Sequence, residues 1–446
     1  MNRQKFYLLI FLLVGTSRIA VSQFKVLPFK EKLKTYLKLI HTKKSFSGEI
    51  LVARDADILF QQTIGLASVE NNVELKKGAE YYIASITKTF TGSMIAIARE
   101  EGRLNVEDKV ISYISGLSFE FKEITIKQLL NHRSGLPHYE SMKDYWPIQS
   151  KLQLTTEQVI AEINKIHLLF EPGTETQYSS LGYYLLAVLL EKVYKDEFCN
   201  ILQNKIFDNL KMRETGTVNT LRIIPKMTSG YYLVNDDSLV VAPYRNYSML
   251  KGAGDMYSNT MDLLKWNISF FSNALCKEIF IQNKERYGYG WNIENEKIPK
   301  LYHGGGTWGY SASTALYPEE RISIIILSNV SALPMTSIAS DVEKIVFDQP
   351  FEIPSIEQEL TSQDFDLRIY CGKFVGVADK KAITFTQSGS KLYAQLQGSP
   401  AFEIYFKGNH QFFSKKVEIE FAFEVENEIA TGLKALRMGK VYYFKK

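Results

Sequence analysis

Residues 81–100 read YYIASITKTFTGSMIAIARE and place Ser85 three positions before Lys88. A serine hydroxyl is a weak nucleophile until a neighbour takes its proton. A lysine amine can do so only when burial or nearby positive charge lowers its pKa. Ile83, Ile86, Phe90, Met94 and Ile97 recur at helical spacing. Ser85 and Lys88 are therefore expected in the first turn of a helix, one above the other on the same face. A lysine is out of place there, because that end carries the positive pole of the helix dipole. Thr87, Thr89, Thr91 and Gly92 crowd the same turn with poor helix formers. Local rules broken together mark a candidate functional site. The plainer reading is a Ser85 helix cap beside a solvated Lys88. The same spacing recurs at Ser22/Lys25, Ser248/Lys251 and Ser388/Lys391, so alone it decides nothing.

Two later stretches add to it. ETQYSSLGYYLLAVLL at 175–190 puts Tyr178 just ahead of a strong helical period, and YHGGGTWGY at 302–310 puts His303 before three glycines. In this order, S-x-x-K, Y-x-S and H-G-G resemble the serine β-lactamase and penicillin-binding protein superfamily. The nearest branch is that of class C β-lactamase-related hydrolases, which includes esterases and D-amino-acid peptidases. FSGEILVARD, LLNHRSGLPH, KGAGDMYSNTMDLLKW and YGYGWNI support the resemblance, which covers roughly residues 45 to 330.

The resemblance implies that Ser85 is the acylated nucleophile, Lys88 its partner in proton transfer, and Tyr178 the proton relay to the leaving group. A phenol and an amine are poor bases singly at neutral pH, but side by side they titrate as a pair and could replace the histidine of a Ser-His-Asp triad. Gly306 N–H and Ser85 N–H are the implied oxyanion hole. Ser180, His303, Gly304 and Gly305 are the implied substrate-binding positions, with His303 on an edge strand facing the nucleophile, where it tunes the site or hydrogen-bonds substrate. Two positions depart from the family pattern. Ser180 stands where an asparagine usually binds the acyl side chain. His303 replaces a lysine, and a mostly neutral imidazole weakens carboxylate recognition. An ester or amide is the expected substrate, a small molecule or peptide with cell-wall-derived peptides among the candidates. A weak β-lactamase activity is included. The alternative is a non-catalytic or very slow penicillin- or peptide-binding protein of the same fold.

Other chemistries find no support. HGGG resembles the oxyanion motif of α/β-hydrolases, but no G-x-S-x-G elbow is present. The six histidines form no H-E-x-x-H or H-x-H, and there is no phosphate-binding G-x-x-x-x-G-K-[ST]. Neither metal nor other cofactor is expected. The net charge is +4, yet Arg3, Lys5 and Arg18 lie in the first 22 residues without an acid, which leaves the remainder near +1. No footprint for nucleic acid or anionic lipid results.

The elements that must position these residues follow from composition and periodicity. With 446 residues, 45% apolar and 23% charged, the chain can build two or three domains. Residues 1–22 have the pattern of a signal peptide: Arg3 and Lys5, an apolar run from Phe6 to Val14, then Ala20-Val21-Ser22. Export to a periplasm or exterior is expected, with no stable membrane span after cleavage; an uncleaved anchor is the other reading. Cys199, Cys276 and Cys371 show no paired spacing and read as small buried side chains, one disulfide being left open. Residues 24–44 suggest a helix, 46–70 two or three strands, 105–215 mainly helix, and 287–330 strands again. The expected fold class is α+β: a β-lactamase/transpeptidase-like domain over 23–347. Its antiparallel sheet is built from the two ends of that stretch against a helical cluster, with Ser85 at the junction. A linker at 348–362 carries Pro350 and Pro354, and 363–446 reads as a small all-β domain.

Overall fold

The computed structural model describes residues 28–446 except 219–221, 236–237, 283–285, 296–297, 352–365, 378–381, 397–400, 415–418 and 438–439. The signal-peptide stretch lies outside the described residues, as does the linker from residue 352 onward.

Labelled in chain order, the principal elements of the first domain are α1 (Phe29–Lys44), β1 (Gly48–Arg54), β2 (Asp57–Ile64), α2 (Thr87–Glu100), α3 (Ser180–Tyr194) and α4 (Thr260–Phe270). They continue with β3 (Tyr287–Gly288), β4 (Trp291–Glu294), β5 (Lys300–Thr307), β6 (Tyr310–Tyr317), β7 (Ile322–Ser328) and α5 (Met335–Val346). The sheet runs β3-β4-β5-β6-β7-β1-β2, antiparallel throughout. Within it β7 pairs with β1, so the two ends of this domain's sequence close one sheet as expected.

Both faces of the sheet are covered, which accounts for the unbroken apolar run of β7. Ile325 and Leu327 join the core under α2, α3 and α4, whereas Ile322, Ile324 and Ile326 pack on the other side with α1 and α5. Residues 105–155 depart from the helical expectation. They form short 3-10 turns and one five-residue helix, Ile126–Leu130. Gly116 and Gly135, at φ +85° and +80°, and Pro137 interrupt any longer helical run there. Asp348 is tied to Lys32 at 2.8 Å and Phe351 packs edge-on against Tyr36 at 5.6 Å. The stretch expected to begin the linker is thus still fastened to α1.

Among the described residues, no helix is long and apolar enough to cross a membrane. All three cysteines are free thiols, and only Cys276 is buried. Cys199, expected to be buried, sits half-exposed in a short helix with Sγ 3.6 Å from Glu197; Cys371 is half-buried at the start of the second domain.

That second domain is a closed barrel of eight antiparallel strands from Gly372–Gly376 to Lys440–Lys445, sealed where Val375 pairs with Lys445 and Gly376 with Phe444. Its interior is filled by Tyr370, Phe374, Phe385, Phe412, Phe421 and Phe423 in mostly edge-to-face contacts.

Candidate active site

Ser85 lies on a 3-10 turn, Ala84–Ile86, immediately before α2 rather than within it. Ala84 takes φ +45°, a left-handed backbone that costs an L-residue about 1–2 kcal/mol. Neighbouring backbone braces this turn. Ile83 N–H donates to Met256 O at 3.0 Å, and a Cβ on Gly305 would lie 2.2 Å from Ile83 O. Strand β5 therefore approaches the serine turn only because residue 305 has no side chain.

The unusual first turn of α2 also has a local explanation. The helix is buried nearly all round, and its hydroxyls bond to backbone instead of water: Thr89 Oγ1 to Ile86 O at 2.8 Å, Thr91 Oγ1 to Gly252 O at 2.6 Å, Ser93 Oγ to Thr89 O at 2.8 Å. At Gly92 a Cβ would meet Tyr289 O at 2.1 Å.

Lys88 has no exposed surface. Its Nζ donates to Ala253 O at 2.6 Å and stands 3.0 Å from Ser85 Oγ. Loss of hydration holds the amine well below its ordinary range, opposed by the charge of Asp255. Asp255 is itself buried; its Oδ1 accepts Gly252 N–H at 2.9 Å, and burial pushes its carboxyl up to about 7. A neutral Lys88 that donates to Ala253 O keeps its lone pair for the Ser85 proton.

Tyr178 lies over the same spot, with the Lys88 ammonium position 5.0 Å from its ring centre. Burial raises the pKa of its phenol, and hydrogen bonds to Ser85 and Ser180 pull it back. The residue keeps 36% of its surface exposed, while its phenol oxygen is buried. Just after it, Ser179 caps α3 by accepting Gly182 N–H, and Ser180 Oγ pairs with His138 Nε2 at 3.1 Å.

His303 faces Tyr178 from β5, ring centres 6.5 Å apart. The expected edge strand needs correction. β5 is internal in the sheet order, but β4 is short and pairs only with residues 300–302, so 303–307 lack a partner on that side among the described residues. Both ring nitrogens of His303 have partners within the protein. His303 Nδ1 lies 2.6 Å from Gly304 O, which can only accept, and Nε2 lies 3.1 Å from Tyr287 OH. The neutral ring therefore has its one N–H on Nδ1 and none left for a ligand. Burial and the nearby Lys88 push its pKa down to about 3. Gly304 and Gly306 are exposed, and nothing lies within 4 Å of a Cβ placed on Gly306.

Ser85, Lys88, Tyr178, Ser180 and His303 thus converge on one cleft beside Gly304–Gly306. Three neighbours carried no role in the sequence reading: His132, His138 and Tyr287. His132 Nδ1 accepts Ser179 N–H, and its ring lies 4.4 Å from those of Tyr178 and Tyr287. The LLNHRSGLPH stretch was visible, but the left-handed φ of +57° that turns His132 inward was not. Among the described residues, no group of three or more His, Cys, Asp or Glu is placed to hold a metal ion.

The chain as a whole has relatives. Penicillin-binding protein 4* of Bacillus subtilis (strain 168) is 29% identical over 434 residues, 90% of this chain and 95% of its own. The octameric penicillin-binding protein homologue from Pyrococcus abyssi superposes with a TM-score of 0.67 at 21% identity, over 93% of this chain and 99% of its own. The D-amino acid amidase from Ochrobactrum anthropi SV3 gives 0.62 at 19%, over 71% and 99%. The first domain of the present chain has the β-lactamase/transpeptidase-like fold, residues 38–341 match the family described as Beta-lactamase, and the chain belongs to that family.

Proposed function

We propose that this protein is an exported acyl-serine hydrolase that cleaves an ester or amide without a metal. The observation that carries the reading is the fully buried Lys88 amine, 3.0 Å from Ser85 Oγ and held below its ordinary pKa. As Ser85 Oγ attacks the carbonyl carbon, its proton passes to the Lys88–Tyr178 pair. The N–H groups of Ser85 and Gly306 hold the oxyanion. Tyr178 then returns a proton to the departing oxygen or nitrogen, and water, activated by the same pair, releases the acyl group. His303 positions the pair through Tyr287 and shape rather than by touching substrate.

D-amino-acid amides and peptides, cell-wall fragments among them, are candidate substrates, supported by the names of a penicillin-binding relative and an amidase of the same fold. Periplasmic or extracellular action fits the charged, apolar and small-residue pattern of residues 1–22. A slow or non-catalytic binding protein is the second reading. It is favoured by one observation: the asparagine position carries only the Ser180 hydroxyl, which already pairs with His138 and with Tyr178.

Intact-mass spectrometry of the mature protein with a fluorescent penicillin and, separately, a fluorophosphonate separates the two. Adducts expected on the wild type should vanish in Ser85→Ala with the fold intact. Turnover that survives in Ser85→Ala would overturn the assignment, and no labelling by either probe would favour the binding protein.

A further inference from the structure

Arg245 is buried, 6% exposed, yet among the described residues no carboxylate lies within ion-pair distance of it. Its partners are neutral. Nη1 donates to Thr307 Oγ1 at 3.1 Å and Nη2 to Tyr145 OH, while Nε has no acceptor. The guanidinium carbon stands 5.2 Å from the Tyr139 ring, 5.8 Å from Tyr145 and 5.3 Å from Trp146, and Trp146 stacks on Trp308 at 5.2 Å. Aromatic faces soften the desolvation of a guanidinium but do not replace a counter-charge. Glu140 is near enough to feel the charge, but burial still holds its carboxyl above its usual range. The cation is built in with its anion missing.

The cage sits at the catalytic cleft. His303, Gly305 and Thr307 alternate onto one face of β5, and that face meets Tyr178 and the Ser85 turn. Thr307, which holds Arg245, is thus one step along the strand beyond Gly306. From the other wall, Tyr139 lies against His138, rings 3.8 Å apart, and His138 bonds Ser180. The leaving group belongs at the end where Tyr178 faces His303. The acyl group must therefore run the opposite way, toward Thr307.

We infer that Arg245 is the anchor for an anionic substituent, a carboxylate, on the acyl side of the substrate. The assignment of that end as the acyl side rests on the acyl-serine reading; the existence of an anion site does not. A planar fork with spare N–H groups suits a carboxylate.

The test compares 4-nitrophenyl hemiglutarate with its uncharged 4-nitrophenyl methyl glutarate counterpart. The wild type should favour the charged ester by roughly 10- to 100-fold in kcat/KM, as expected for a charge-assisted bond. That ratio should fall to about one or below in Arg245→Met and partly in Arg245→Lys. A merely structural arginine would lower both substrates together and leave the ratio unchanged. A second measurement needs neither turnover nor a variant: titration of the wild type with glutarate or glutaramide, read by tryptophan fluorescence from Trp146 and Trp308. Saturable, salt-sensitive quenching by glutarate alone supports the site. Equal preference for the two esters, a ratio that survives in a folded variant, or no response to glutarate overturns it. If neither ester is turned over, the hydrolase reading is the one that fails, and the titration alone decides Arg245. If the variants do not fold, the wild-type ratio and titration decide.

Discussion

Lys88 shows how burial, more than sequence spacing, sets the chemistry of a side chain. Its amine is dehydrated and donates to Ala253 O, while the Asp255 carboxyl works against the resulting loss of charge. Asp255 is itself raised to about 7 by burial, so the folded state holds a proton there that the unfolded chain releases near pH 4. The folded state binds more protons in that window, and stability falls as pH rises from about 4 to 7. Asp255→Asn keeps an acceptor for Gly252 N–H and removes the buried charge. It is expected to raise Tm by several degrees at pH 8 and to change it little at pH 4, as differential scanning calorimetry would show. Without the Asp255 charge, Lys88 should stay neutral at lower pH, moving the acid limb of the kcat/KM profile downward. A limb that does not move would mean that Asp255 only shapes the 252–256 turn.

Between elements, the decisive contact is the approach of β5 to the turn before α2. Gly305 and Gly306 are adjacent and identical in sequence, yet their surroundings are opposite. A Cβ at 305 would lie 2.2 Å from backbone oxygen, whereas a Cβ at 306 meets nothing within 4 Å. Gly305→Ala should push β5 away from Ser85, costing about 1–3 kcal/mol of stability and roughly 100-fold or more in kcat/KM through misplacement. Gly306→Ala should leave Tm unchanged. The two variants differ by one position, so thermal melts and kinetics on the same ester are a direct comparison. The HGGG run was legible as a glycine-rich approach. Which glycine is sterically required was not, because that depends on a carbonyl more than 200 residues earlier in the chain.

At the level of the whole molecule, the two domains carry different titrating groups. His138 and His303 are pushed down to about 3, chiefly by burial and then by the nearby Lys88. An unfolded histidine protonates near 6.5, so the unfolded state binds more protons between about 3 and 6.5. Stability from these residues is complete above pH 6.5 and is lost as pH falls through that range. The stretch 366–446 contains a single histidine, His410, in the turn between strands Phe402–Gly408 and Gln411–Phe413. In Asp255→Asn, which removes the opposing carboxyl, calorimetry from pH 7.5 to 5.5 should therefore lower the transition of the first domain by several degrees and move that of the barrel less. Phe423→Ala identifies the barrel transition. It opens a cavity among Tyr370, Phe374, Phe385 and Phe412 at a cost of about 3–5 kcal/mol, with hydrolysis unaffected.

By itself the sequence determined the order of strand-rich and helix-rich stretches outside 105–155, the all-β second domain, and the three motifs that meet at Ser85. Periodicity and turn residues are local, so they survive in one dimension. The tertiary structure decided what those motifs touch. The folded chain dehydrates Lys88, occupies both nitrogens of His303, brings His132, His138 and Tyr287 beside Tyr178, and leaves Arg245 without an anion. Each depends on groups brought together from distant positions, and desolvation exists only once the chain has closed around them.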